Sequence, residues 1–149
     1  MARQRRATNA TKRPRAPRRS PEDEFQKTLV AWMHASICAP AMFWATPNGG
    51  KRSKKTAALL KATGTTPGIP DLFVLNGGLL LGLELKAPPV ALKRGGVSRA
   101  KPTLSDDQKA IHLRLLGAGA KVAVCRSIDE AEAFLRHFGV PLRASVLKR

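Results

Sequence analysis

A chain of 149 residues suits one compact domain with a tail, and an apolar content of 43% is enough to build a core. A formal charge of +17 excludes a neutral or acidic surface and points to a polyanionic partner, nucleic acid first. Charges interrupt every apolar run before it reaches transmembrane length, and the N-terminus lacks the apolar stretch of a secretory signal, so no membrane role is expected.

Residues 1–19 contain Arg3, Arg5, Arg6, Lys12, Arg13, Arg15, Arg18 and Arg19 and no acid. With no apolar periodicity they read as a disordered basic arm. The other +9 is spread over the rest of the chain, so body and arm agree in sign. A solubilising surface would account for the same charge without a partner. Residues 20–141 read as the folded domain and 142–149 as a short basic tail.

The first helix begins in "SPEDEFQKTLVAWMHASI". Ser20 is a good N-cap, Pro21 fits the first helical position and acids fill the first turn. Phe25, Leu29, Trp32 and Met33 recur at helical spacing, widened by Val30 and Ile37. At about 100° per residue, Glu22 lines up with Gln26, Leu29 and Met33 and faces inward, whereas Glu24 faces solvent. A carboxylate on a buried face is costly unless paired. Compensation of the helix dipole explains both acids equally well.

Met42–Ala45 reads as a short strand and "TPNGG" as a turn. A helix is predicted from about Ser53 to Thr63, with Gly64 placed to stop it and a basic exposed face of Lys51, Arg52, Lys54, Lys55 and Lys61. Strands follow over Leu72–Leu75 and Leu79–Lys86, joined tightly by "NGG". "APPVALKRGGVSRAKP" reads as a long basic loop. "TLSDDQKAIHLRLLGAG" is a helix with Ser105 and Gln108 as a capping box, Ile111, Leu115 and Leu116 on its apolar side, and Gly117 and Gly119 at its end. "KVAVC" is a buried strand, and "SIDEAEAFLRHF" a last helix with Ser127 and Glu130 as a second capping box. The order α, β, α, β, β, α, β, α predicts an α/β or α+β domain with helices packed on a small mixed sheet.

Cys38 and Cys125 lie far apart, without metal-ligand spacing, and read as reduced core thiols in a cytosol-like compartment. His34 falls near the end of the first helix, His112 on the polar side of the third and His137 near the end of the last. None has an acid or cysteine at ligand spacing, which assigns them surface or helix-end roles.

One stretch resists a purely structural reading. In "GIPDLFVLNGGLLLGLELKAPP" an apolar hairpin carries Asp71 at the start of its first strand and Glu84 and Lys86 at the end of its second. Two residues apart on a strand, Glu84 and Lys86 project from one face, with Leu85 on the other. Antiparallel pairing brings Asp71 alongside them. Neighbouring carboxylates repel unless a cation or proton intervenes. A divalent ion held by oxygens answers that need, and Lys86 can orient its water or stabilise developing negative charge. A salt-bridged strand terminus is the plainer alternative.

"PNGGKR", "ATGTTPGIPDLFVL", "LELKAP" and "LSDDQKAIHLRLLGAGAKVAVCRSIDEA" resemble, in that order, the VRR-NUC domain, a nuclease domain of the PD-(D/E)XK superfamily. The resemblance runs from about Glu22 to Phe138. It implies a restriction-endonuclease-like fold and hydrolysis of DNA phosphodiesters with Mg²⁺ or Mn²⁺. It makes Asp71 and Glu84 metal ligands, with the Leu85 carbonyl as a further one, and Lys86 the catalytic lysine. Glu22 becomes the first-helix ligand, with Glu24 as fallback. Gln108 matches a glutamine near the site, in addition to its capping role. Asn48 matches a site position, and equally suits a plain turn.

Lys51, Arg52, Lys54 and Lys55, with Lys93, Arg94, Arg99 and Lys101 of the basic loop, are the expected phosphate contacts. Compact stand-alone members resemble homodimeric nucleases that act on four-way DNA junctions. This places the reaction in the cytoplasm of a bacterium or of a phage-infected host. Nicking of other branched or flapped DNA, or nucleic-acid binding without catalysis, are the alternatives. The loop from Val90 to Pro102 is longer and more basic than the resemblance leads one to expect, and the Arg-rich arm is additional. Both bear on substrate preference rather than on chemistry.

Overall fold

The computed structural model describes residues 20–46, 54–88 and 103–143. Its elements are α1 (Pro21–Ser36), β1 (Met42–Ala45), α2 (Lys54–Ala62), β2 (Leu72–Asn76), β3 (Leu79–Leu85), α3 (Asp106–Gly117), β4 (Lys121–Cys125) and α4 (Ile128–His137). This is the predicted order, with bounds shifted by a residue or so. The strands form one mixed sheet in the order β1-β2-β3-β4.

The β2–β3 hairpin is set by local chemistry. Asn76 pairs with Leu79, leaving Gly77 and Gly78 as a two-residue turn, both at positive φ (55° and 81°). Glycine reaches that region without a Cβ penalty, and such turns match the twist of paired strands. The register pairs Leu72 with Leu83 and Val74 with Leu81, so these four side chains share one face. All four are fully buried, with Leu85. Onto them pack Phe25, Leu29 and Met33 of α1, at i, i+4 and i+8, and Ala131 and Leu135 of α4. Each fully buried leucine here contributes about 1.5–3 kcal/mol of transfer free energy.

β4 runs parallel to β3, pairing Glu84 with Val124 and Leu85 with Cys125. Parallel neighbours need a crossover, which α3 supplies. Beyond the sheet, Leu142 bridges Ile37 and the Arg143 amide donates to the Ser36 carbonyl at 2.8 Å. The start of the segment read as a tail is therefore tied to the end of α1.

Caps follow the sequence with one correction. Ser20 and Asp23 form a reciprocal box at the start of α1, as do Ser105 and Gln108 at α3. At α4, Ser127 accepts from the Glu130 amide, but the Glu130 carboxylate turns back to the Arg126 amide at 2.7 Å. Leu116 is a second correction. It is exposed, as is Leu113, because α3 packs through Gln108, Ile111, His112 and Leu115 instead. Cys125 is buried and Cys38 half-buried, both as free thiols. Burial pushes the Cys125 thiol up to about 12, so it packs as an inert apolar group. Among the described residues no helix is long and apolar enough to cross a membrane.

Candidate active site

At the end of the hairpin remote from the Gly-Gly turn, β2 and β3 bring the three predicted groups together. Extending the register past Leu72–Leu83 sets Asp71 beside Glu84. The Asp71 carboxylate (Oδ2) accepts the Leu85 amide at 2.8 Å. Lys86 Nζ lies 2.7 Å from Glu84 Oε1, on the same strand face. Glu84 is only 1% exposed and Lys86 7%. Leu85 points the other way, into the core. The predicted alternation holds, but this ion pair is buried rather than solvated. Removing one partner of such a pair strands the other charge.

Three further elements close around the pair. From α1, the Glu22 carboxylate lies close enough to Lys86, Asp71 and the Ala87 backbone to feel each electrostatically. Glu24 points away and pairs with Lys27 at 3.2 Å, both well exposed. From α3, the Gln108 amide nitrogen donates to Glu84 Oε1, while Gln108 Oε1 accepts from Lys86 at 3.3 Å and from the Ser105 amide at 3.0 Å. The capping and site roles of Gln108 therefore coexist in one side chain. From the end of β1, Thr46 donates its amide to the Asp71 carbonyl at 2.8 Å and its hydroxyl to the Pro70 carbonyl, pinning the backbone that carries Asp71.

These groups line a cleft of about 730 Å³, bounded by the first turns of α1 and α3 and by residues 65–69. Glu22, Gln26, Lys61, Asp71, Glu84 and Gln108 all contribute. Gly68 makes the closure possible. At φ +80°, a Cβ on it would lie 2.5 Å from the Asp107 carbonyl carbon and 2.7 Å from the Gln108 amide. Only glycine lets this loop rest on the first turn of α3.

The electrostatics of the cleft run against those of the chain. Glu22, Asp71 and Glu84 surround one buried ammonium, Lys86, in a protein of net charge +17. Burial raises the Glu84 carboxyl to about 7; Asp71 and Glu22 add to the rise, and the Lys86 bond opposes it. Burial also raises Glu22, with Lys86 opposing and Asp71 adding. Both carboxylates would gain from a nearby cation.

The donor set is all oxygen, which suits Mg²⁺ or Mn²⁺. Glu84 Oε2 is buried and accepts no hydrogen bond. Among the described residues no three His, Cys, Asp or Glu side chains converge to enclose an ion. The site therefore fits an ion held by carboxylate and carbonyl oxygens and completed by water, rather than a closed cage.

His112 corrects the sequence reading. It was expected on the polar side of α3. It is 8% exposed, with Nε2 3.9 Å from Glu84 Oε2. Burial and Lys86 push its pKa down, with Asp71 opposing. The signal was its i, i+4 spacing from Gln108, which places both on one helix face. The sequence reading also missed Thr46 and Gly68. Asn48, Lys51, Arg52, Lys93, Arg94, Arg99 and Lys101 lie outside the described residues, as do the side chains of Lys54 and Lys55, which open α2.

No family model matches the sequence, and no curated protein does. Among solved structures, one titled "VRR_NUC domain protein" aligns with 83% of this chain and 91% of its own at 19% identity and a TM-score of 0.60. Another, "VRR_NUC domain", covers 80% of this chain and 99% of its own at 19% identity and a TM-score of 0.50. An identity this low speaks for architecture alone: four strands in a mixed sheet, flanked by helices. The chain has the fold of these VRR_NUC structures.

Proposed function

We propose that this protein is a divalent-metal-dependent DNA endonuclease that selects branched DNA, the four-way junction first. The observation that carries the reading is the meeting of Asp71, Glu84 and Lys86 at one hairpin end, in a cleft whose acids outnumber their buried cation. Asp71 and Glu84, with the Leu85 carbonyl and Glu22, would hold Mg²⁺ or Mn²⁺. When bound, such an ion supplies a more acidic water and neutralises charge on the phosphate. Lys86, held by Glu84 and Gln108, sets an ammonium where negative charge grows on the phosphoryl oxygens. Gln108 fixes the orientation of both partners.

The chain's positive charge supports a phosphate-backbone substrate, which basic groups position without reading sequence. Lys51, Arg52, Lys54 and Lys55, and Lys93, Arg94, Arg99 and Lys101, are the proposed contacts, with Asn48 beside the site. Two copies related by a two-fold axis would match the symmetry of a four-way junction, so the working unit is proposed to be a homodimer.

The test is a cleavage panel of linear, nicked, flap, splayed and four-way DNA with Mg²⁺, Mn²⁺ or chelator. Junction cleavage that needs the ion is expected, and Lys86→Ala should bind DNA as the wild type does while losing cleavage. Binding without cleavage of any substrate by the wild type would instead identify a non-catalytic nucleic-acid-binding protein.

A further inference from the structure

Glu84 has two carboxylate oxygens with different surroundings. Oε1 receives Lys86 at 2.7 Å and the Gln108 amide. Oε2 is buried with no hydrogen-bond partner, and so is His112 Nε2, which faces it at 3.9 Å. The two side chains are 1% and 10% exposed. Two orphaned polar atoms facing each other inside a protein are unusual, because each gives up its hydration for nothing. One proton resolves both. A neutral imidazole carrying its hydrogen on Nε2 is a donor, and a carboxylate oxygen is an acceptor. A closure of about 1 Å brings them to hydrogen-bond distance.

The spacing on α3 makes this a paired device. Gln108 and His112 are four residues apart on one helix face, and each is aimed at a different oxygen of the same carboxylate. We propose that His112 is a positioning residue, whose Nε2–H holds Glu84 Oε2 and thereby fixes the carboxylate plane that serves the ion. The inference rests on the nuclease reading for its consequence but on this geometry for its content. His112 does not itself line the cleft. It acts through Glu84, as outer partners orient the ligands of metal sites.

The test compares His112→Leu and His112→Gln in the full chain, since glutamine places an amide donor where Nε2 sits. Mn²⁺ binding without DNA is followed by electron paramagnetic resonance, and junction cleavage gives kcat and KM. In His112→Leu, Mn²⁺ affinity is expected to fall roughly 10- to 100-fold, and kcat to fall with KM for DNA unchanged. His112→Gln is expected to recover most of both. A His112→Leu protein equal to wild type, or a His112→Gln protein as impaired as His112→Leu, overturns the proposal.

Imidazole ¹⁵N NMR of the wild-type protein provides an arm independent of variants and metal. The Nε2–H tautomer with a hydrogen-bonded, downfield proton is expected, and a bare Nε2 overturns the proposal even if a variant fails to fold. A wild-type protein that neither binds Mn²⁺ nor cleaves DNA would sink the nuclease reading, while the tautomer would still decide the role of His112.

Discussion

The Asp71 carboxylate receives the amide of Leu85, the residue between Glu84 and Lys86, at 2.8 Å. An acid at the mouth of a hairpin ordinarily turns to water. Here it clips the strand that carries Glu84 and Lys86, so the side chain proposed to hold the ion also holds the structure. The two roles separate by substitution. Asp71→Asn keeps an oxygen for the Leu85 amide and should melt near the wild-type temperature, yet cleave junction DNA at least about 100-fold more slowly. Asp71→Ala should lose the activity and also about 1–3 kcal/mol of stability, read by urea denaturation, because the Leu85 amide is left unpaired.

The double role of Gln108 can be divided in the same way. Ser105→Ala removes the α3 cap without touching Glu84, so it should cost about 0.5–2 kcal/mol and leave kcat nearly unchanged. Gln108→Leu removes the contacts to Glu84 and Lys86 as well. It should lower stability by a similar amount and reduce kcat by at least about tenfold. Equal kcat in the two variants would leave Gln108 with the cap alone.

Gly68 is sensitive for a reason found in α3, forty residues away. In Gly68→Ala the new Cβ must displace the backbone at Asp107 and Gln108, and the residue must hold φ +80°. Destabilisation of about 1–3 kcal/mol is expected from the strained backbone. A fall in cleavage larger than stability explains is also expected, because the first turn of α3 carries Gln108. Denaturation and single-turnover cleavage, compared at a temperature where both proteins are folded, check this.

The pH dependence of stability has a definite sign. Glu84 is raised from its ordinary 4.5 to about 7, so the folded protein holds this proton more tightly than the unfolded chain does. Its contribution is complete below about pH 4.5 and is lost as pH rises through 7. Glu22 shifts in the same direction. His112 is lowered from 6.5 and works oppositely, costing stability as pH falls below that value. Above 6.5 the imidazole is largely neutral in both states and no longer offsets the carboxyl contribution. Metal-free protein should therefore lose melting temperature between about pH 6.5 and 8. The loss should vanish in Glu84→Gln and be reversed by saturating Mg²⁺ or Mn²⁺. Scanning calorimetry across that range, with and without ion, checks it.

Much of this molecule is legible along the chain. Periods of 3.6 and 2 located the helices and strands, and Ser20, Pro21 and Ser105 marked where two helices begin. "NGG" between two apolar runs specified a two-residue turn, and that turn alone sets the register that brings Asp71 beside Glu84. Glu22 could be placed inward by its alignment with Leu29 and Met33, because a helix face is a local property. For His112 the i, i+4 spacing from Gln108 competed with a misleading signal. Its neighbours Leu113 and Leu116 make α3 look apolar on the side that faces solvent. The helix turns Gln108, Ile111, His112 and Leu115 inward, and this sets Gln108 and His112 against the buried Glu84 carboxylate.

The amino-acid order by itself therefore determined the elements, the hairpin register and the three groups at its end, since each follows from spacing within a short segment. Tertiary packing alone decided what encloses them: the second oxygen of Glu84 opposite His112, the Glu22 carboxylate brought near Lys86, and a bare glycine against α3. Those contacts join residues tens of positions apart. They depend on how whole helices dock on a sheet, which no local periodicity encodes.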